Sequence, residues 1–131
     1  MSNVETVQEI YAAFGTGDVP AILSKLADDV EWDADSTSDV PLLQPRRGRD
    51  GVGAFFGSLA AVDFAGFAPT ALLESGNMVV ALIDVEFTVK ATGRSVKQLD
   101  EAHIWRFGPD GKVASFRHRV DTHAHYLAFT E

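Results

Sequence analysis

The chain contains no cysteine, which excludes disulfides, thiolate nucleophiles and thiolate-held metals. Basic residues are also few. Eleven Lys and Arg stand against 19 Asp and Glu, a formal net charge of −8. A chain this acidic lacks the basic stripe that a phosphate backbone requires, so no nucleic-acid partner is expected. No apolar run approaches the roughly 18 residues of a membrane span. The opening MSNVETVQEI has neither the basic start nor the apolar stretch of a secretory signal. These absences predict a cytoplasmic protein with no membrane partner. What the sequence does have is apolar bulk: 46% hydrophobic residues, nine of them Phe, in 131 residues. That length suits one domain spanning 1–131 with a bulky core.

Val4, Val7, Ile10, Tyr11 and Phe14 fall on one face of an amphipathic helix. Gly15 and Gly17 end it, since glycine takes the left-handed conformation of a helix C-terminus. Asp18 reads as the N-cap of a second helix with Pro20 in its first turn, ending near Asp28-Asp29. Residues 30–34 alternate as a short strand, and residues 35–49, with Pro41 and Pro45, read as loop. Asp50 is positioned to cap a third helix carrying Val52, Phe55, Phe56 and Leu59. Gly51, Gly53 and Gly57 weaken that helix, so packing must hold it.

Beyond Val62 the period changes to two. Residues 67–74 form a poor, proline-interrupted edge strand. Residues 78–90 form a strong one, with Val85, Phe87 and Val89 alternating against polar neighbours. Thr92-Gly93 turns the chain into 95–107, and Gly108-Pro109-Asp110-Gly111 turns it into 112–121. Three helices followed by an antiparallel meander make an α+β domain.

The segments Ile10-Tyr11-Ala12-Ala13-Phe14 with Gly17-Asp18, Leu26-Ala27-Asp28-Asp29-Val30 with Trp32, and Gly48-Arg49-Asp50-Gly51-Val52 with Phe55-Phe56 form an ordered series. Trp105-Arg106-Phe107, Asp110-Gly111-Lys112-Val113 and Asp121-Thr122 complete it. In that order, over nearly the whole chain, they resemble SnoaL-like domains of the nuclear-transport-factor-2-like superfamily. The resemblance implies a cone-shaped α+β barrel whose N-terminal helices pack against a curved, mostly antiparallel sheet. The superfamily includes ketosteroid isomerases, polyketide cyclases, epoxide hydrolases, dehydratases and non-catalytic modules, so function must come from the pocket.

The last hairpin can be phased from its turn. A four-residue loop opposes Phe107 to Lys112, Trp105 to Ala114, His103 to Phe116 and Glu101 to His118. One face then carries Glu101, His103, Trp105, Phe107, Ala114, Phe116, His118 and Val120. The other carries Ala102, Ile104, Arg106, Val113, Ser115, Arg117 and Arg119. The first, aromatic face is predicted to be concave, with His103 and His118 diagonal neighbours about 7–8 Å apart. Phasing through the Thr92-Gly93 turn instead puts Val96 and Gln98 inside and leaves Glu101 and His103 out. A one-residue bulge between Val96 and Asp100 reconciles the two.

Glu101, His103 and His118 are the candidate catalytic residues. The resemblance places His103 where ketosteroid isomerases keep a protonated carboxylic acid of the oxyanion hole, a hydrogen-bond donation an imidazole can replace. It places His118 where epoxide-hydrolase relatives keep an aspartate, and a histidine there can serve as a general base. Glu101 would orient His118. The alternative for each is structural: a core histidine bonded to backbone or Tyr, and a His–Glu pair at the mouth. The isomerase tyrosine and base positions fall on Ile10 and Ala34, which argues against steroid isomerisation. Tyr11, Phe14, Trp32, Phe56, Phe87, Trp105 and Phe116 are candidate pocket walls, or plain core. His123 and His125 lack a third ligand, so no metal is expected, and no cofactor. The sequence therefore predicts an acid–base enzyme (isomerase, cyclase or dehydratase) for a small apolar carbonyl- or hydroxyl-bearing molecule, or else a binding or dimerisation module. A homodimer is expected through the convex face, partly from the resemblance and partly from Ile104 and Val113 beside Arg106, Arg117 and Arg119.

Overall fold

The computed structural model describes residues 2–130. Helix α1 (Asn3–Gly15) opens on a capping box in which Ser2 and Glu5 satisfy each other's free amides, and it buries Thr6, Val7 and Ile10. Gly17, at φ +73°, turns the chain out of it. Asp18 caps α2 (Val19–Leu23), accepting from the Ala21 amide at 3.2 Å. This helix is shorter than the sequence suggests. Strand β1 (Leu26–Trp32) already begins where Asp28 and Asp29 were expected to close the helix. Leu26, Val30 and Trp32 are buried along β1 while Asp28 and Asp29 face outward, so the apolar residues are recruited by the sheet.

The 35–49 loop contains one short helical turn (Pro41–Leu43) and β2 (Arg46–Arg47), which pairs with the end of β1. Helix α3 (Gly48–Ser58) starts at Arg47, without a side-chain cap. Asp50 lies inside its first turn rather than at the cap, where its charge still suits the positive end of the helix. Strands β3 (Val62–Ser75), β4 (Met78–Val89), β5 (Ser95–Phe107) and β6 (Val113–Arg119) follow, and then α4 (Thr122–Thr130). Residues 122–130 show only weak helical periodicity in the sequence. Asp121 caps it, accepting from the Ala124 amide at 2.9 Å.

The described residues form one six-stranded sheet in the order β2-β1-β6-β5-β4-β3, antiparallel except where β1 runs with β6. The curved sheet does not close, so the cone is completed by α1, α3 and α4 against its concave side. On β4 every second residue from Val79 to Val89 is buried, the alternation of a sheet with one wet face. No described helix is long and apolar enough to cross a membrane.

Two irregularities decide which side chains face inward. On β5, Ile83 opposes Glu101 but Val85 opposes Gln98, so Leu99 and Asp100 together face Asp84. Asp100 takes φ +58°, and its amide donates to the Asp84 carboxylate at 3.1 Å. Leu99 is thrown into solvent, 66% exposed. Val96 and the run Glu101, His103, Trp105 and Phe107 are thereby all buried on one side. A bulge within 96–100 thus reconciles the two phasings.

On β6, Arg106 opposes Ser115 but Phe107 opposes Val113. The pairing is displaced by two residues from the one predicted: His103 faces His118 directly, and Trp105 faces Phe116. A shift of two preserves the faces beyond Ser115. Ala114 is instead the extra residue and turns outward, while Val113 is fully buried. Val113 therefore belongs to the core, not to the convex face assigned to it.

Asp and Asn tolerate the left-handed region better than β-branched residues do. Asp100→Val is expected to lower stability by roughly 1–2 kcal/mol, with Asp100→Gly close to wild type, as read by urea unfolding.

Candidate active site

Every residue singled out from the sequence as a site candidate borders one cavity of about 80 Å³ beneath the concave face. Tyr11 and Phe14 reach it from α1, Phe56 from α3, Phe87 from β4, and the remainder from β1, β5 and β6. About half of the lining residues are Phe, Tyr or Trp, with aliphatic side chains between them. Trp32 stacks on Phe116 at 3.9 Å between ring centroids, and Trp105 meets both rings edge-on or tilted. At 80 Å³ the space is smaller than the roughly 150 Å³ cavity that admits a benzene ring. A ring-sized ligand therefore enters only if aromatic walls rotate aside.

Within this apolar wall runs a chain of hydrogen bonds. Burial pushes the Tyr11 phenol well above its ordinary range; the bond from Trp105 pulls the other way, and the charge of Glu101 adds to the rise. Tyr11 therefore keeps its proton. Burial likewise holds His103 below the usual imidazole value, with Glu101 opposing, so the ring is neutral near pH 7. Burial alone would raise Glu101, but the hydrogen bond from His103 and the nearby histidines outweigh it and hold the carboxyl low. An ionised Glu101 can only accept, so His103 carries its hydrogen on Nε2 and donates to Oε2 at 2.6 Å. Nδ1 is then an acceptor, and the Tyr11 hydroxyl donates to it at 2.7 Å. Trp105 Nε1 donates to the Tyr11 oxygen at 3.1 Å.

Two expected roles change with this geometry. Glu101 bonds His103, its neighbour two residues along the same strand face, and does not hold His118. Both ring nitrogens of His103 are occupied by protein, so that ring has no free donor for a ligand oxygen.

His118 is held instead by Asp33, which the sequence reading passed over. The His118 amide donates to Asp33 Oδ1 at 2.8 Å, and ring Nδ1 stands 2.5 Å from Oδ2, a close contact without hydrogen-bond alignment. The Asp33 amide in turn donates to the Phe116 carbonyl at 2.8 Å. Successive strand residues normally point to opposite faces. Asp33 escapes that rule because it sits at φ +52°, just beyond β1, and so Trp32 and Asp33 are both buried. The two imidazoles meet at 6.0 Å, their planes at 89°. On its far side the His118–Asp33 pair borders a polar cleft of about 590 Å³, with Ser36, Asp39, Thr122 and His123 among its walls.

His125, on helix α4, also reaches the cavity, 5.3 Å from the Phe87 ring, with Nδ1 2.9 Å from the Asp121 carbonyl. Its partner in the HxH pair, His123, is exposed on another face, as residues two apart on a helix must be. Among the described residues no three His, Asp or Glu side chains are grouped to hold a metal ion. The capping Asp121 and the three-residue spacing of His125 and Ala128 are the signals that mark α4 in the sequence.

His103 and His125 are both held below the ordinary imidazole value, chiefly by burial. The unfolded chain therefore binds protons near pH 6.5 that the folded chain does not, so stability is full above that pH and falls as the solution is acidified through it. Melting temperature should drop from pH 7.5 to pH 5, and His125→Gln should flatten that slope. An unchanged slope in the variant would show that His125 is not buried uncharged.

A SnoaL-like domain model matches residues 7–116 of the chain. An NTF2-like protein of Burkholderia pseudomallei is 35% identical over 100% of both chains, with a TM-score of 0.84. TerC, crystallised with polyporic acid, is 28% identical over 98% of each chain, with a TM-score of 0.79. A Pseudomonas putida protein named as a polyketide cyclase shares the fold at 20% identity, covering 98% of each chain with a TM-score of 0.79. No curated protein matches the sequence. On the match across most of its length, with the open six-stranded sheet and roofing helices described above, the chain belongs to the SnoaL-like domain family of NTF2-like proteins.

Proposed function

We propose that the protein is a cofactor-independent acid–base enzyme acting on a small apolar molecule that bears a carbonyl or hydroxyl group. One observation carries this reading: two histidine–carboxylate pairs meet across 6.0 Å in the wall of an otherwise aromatic cavity. Burying a charged carboxylate costs several kcal/mol of desolvation unless hydrogen bonds or opposite charge return it. A pocket that merely held an apolar ligand would gain nothing from them.

His118 is the proposed base. Asp33 on the Nδ1 side favours the tautomer with hydrogen there, which leaves the Nε2 lone pair as the free, proton-accepting nitrogen. Nε2 has no protein partner among the described residues. In the simplest step, the C–H bond beside a carbonyl breaks, its proton passes to Nε2, and its electron pair moves onto the carbonyl oxygen. Return of the proton to another carbon is isomerisation; attack on a second carbonyl is cyclisation; loss of a β-hydroxyl is dehydration. Asp33 positions the ring and stabilises the imidazolium. Tyr11, His103 and Glu101 form a fixed polar rail opposite, where the spare Glu101 oxygen can accept from a ligand hydroxyl. The crystallisation of TerC with polyporic acid supports an oxygen-bearing organic molecule as a ligand class for this pocket.

The alternative, a binding module of the same fold, is favoured by the occupied nitrogens of His103. Deuterium incorporation separates the two. Small ketones, 1-tetralone first, are incubated with the protein in D2O and followed by NMR. The enzyme reading expects exchange beside the carbonyl above the buffer rate, reduced about 100-fold or more by His118→Ala and about 10-fold by Asp33→Asn. Ketones that bind without exchanging would leave the binding module.

We also propose a homodimer through the convex face, now resting on half-buried Ile104 flanked by Arg106 and Arg117, since Val113 lies in the core. Arginine there can pair with carboxylates such as Asp84 and Glu86 across the contact. Light scattering should find a dimer at micromolar concentration, and Ile104→Glu should shift it to monomer. A monomeric wild type would end this proposal.

A further inference from the structure

The donors facing the cavity can be followed one at a time. Tyr11 gives its hydroxyl proton to His103, His103 gives its own to Glu101, and Trp105 gives its indole proton to Tyr11. Each is consumed within the protein, while His118 Nδ1 lies against the Asp33 carboxylate out of hydrogen-bond alignment. Trp32 is different. Its indole Nε1 is buried and has no hydrogen-bond partner, in a residue only 2% exposed that lines the same cavity.

Buried indole N–H groups usually find an acceptor. An unsatisfied one costs about 1–3 kcal/mol, and in a native fold it calls for a physical reason. The neighbours of Trp32 supply none: Phe55, Phe56, Trp105 and Phe116 pack around it with only ring faces and edges. Its place in the chain suggests the reason. Trp32 immediately precedes Asp33, and the left-handed turn at Asp33 buries both residues on the side of His118. The segment that positions the proposed base thus also carries an indole donor with no acceptor.

We infer that Trp32 Nε1 is the hydrogen-bond donor that holds the ligand's carbonyl oxygen, and so selects ligands with an acceptor oxygen over hydrocarbons of the same shape. This inference rests on the proposed pocket reading and deepens it. As the electron pair of the broken C–H bond moves onto that oxygen and the proton passes to His118, the indole N–H faces a growing negative charge. A donor already in place there stabilises the transition state more than the ground state. Entry of the ketone requires aromatic walls of the cavity to rotate aside.

Binding rather than turnover tests this. The protein has two tryptophans, so an 15N-labelled sample gives two indole N–H resonances, assigned by Trp32→Phe. Titration with 1-tetralone should move the Trp32 resonance downfield and leave that of Trp105 nearly still. Its hydrocarbon counterpart tetralin should bind about 10-fold more weakly in wild type and equally in Trp32→Phe. In the absence of ligand Trp32→Phe, relieved of an unpaired donor, should melt within a few degrees of wild type. Equal affinity for ketone and hydrocarbon in wild type, no binding of either, or an unmoved Trp32 resonance at saturation would each overturn the inference. The catalytic reading fails separately. If 1-tetralone binds and moves Trp32 but exchanges no deuterium, the donor stands and the base falls.

Discussion

The contact between the Asp100 amide and the Asp84 carboxylate fixes where β5 carries its extra residue, and the site depends on that position. Before the bulge the strand gives Val96 to a cluster with Val85 and Phe87; after it, Trp105 and Phe107 join a second cluster with Trp32 and Phe116. A regular strand of period two could serve only one of them with its alternate residues. Without the bulge, the phase set by Val96 would leave Glu101 and His103 facing solvent. Bulges recur beside functional sites because they re-aim side chains in this way. Here one re-aims a whole ionisable run.

Placing ionisable groups inside an aromatic shell is tolerable only because they satisfy one another. Glu101 accepts from His103, His103 accepts from Tyr11, and Tyr11 accepts from Trp105, so the rail has a polar partner at every joint. Low local dielectric strengthens such a chain, and it would penalise any gap in it as strongly. The rail is therefore rigid, which suits it to orient a ligand. The His118–Asp33 pair is built differently. It has a ring nitrogen with no protein partner among the described residues, and a polar cleft lies beside it.

Much of this was legible in the residues. The alternation on β4, the Asp18 cap and the turn at Gly108–Gly111 specify their elements locally, and local rules carried them. The aromatic face of β5 and β6 was also legible, because a two-residue error in pairing leaves faces intact beyond the error. What could not be read depended on distant partners. Leu26 joins the sheet because Val113 lies beside it, which helix periodicity at 18–29 does not encode. Asp33 finds His118 through a left-handed backbone angle that no motif announces. Val113 and Ala114 exchange faces because the hairpin takes up an extra residue within β6. The short, weakly amphipathic α4 becomes a helix because His125 and Ala128 cover the end of the sheet.

The conformation at Asp33 links the candidate site to the topology of the sheet. A left-handed angle at a non-glycine residue costs roughly 1–2 kcal/mol, and it persists only where the surroundings hold it. Asp33 is held three ways: its amide bonds Phe116, one carboxylate oxygen takes the His118 amide, and the other faces the His118 ring. All three partners lie on β6, beside which β1 runs parallel. The lone parallel pairing in an otherwise antiparallel sheet thus delivers the end of β1 to the middle of β6. An antiparallel neighbour in that slot would have brought the start of β1, with Leu26 in place of Trp32 and Asp33. The crossover that makes the sheet mixed is what sets an indole and a carboxylate beside the histidine.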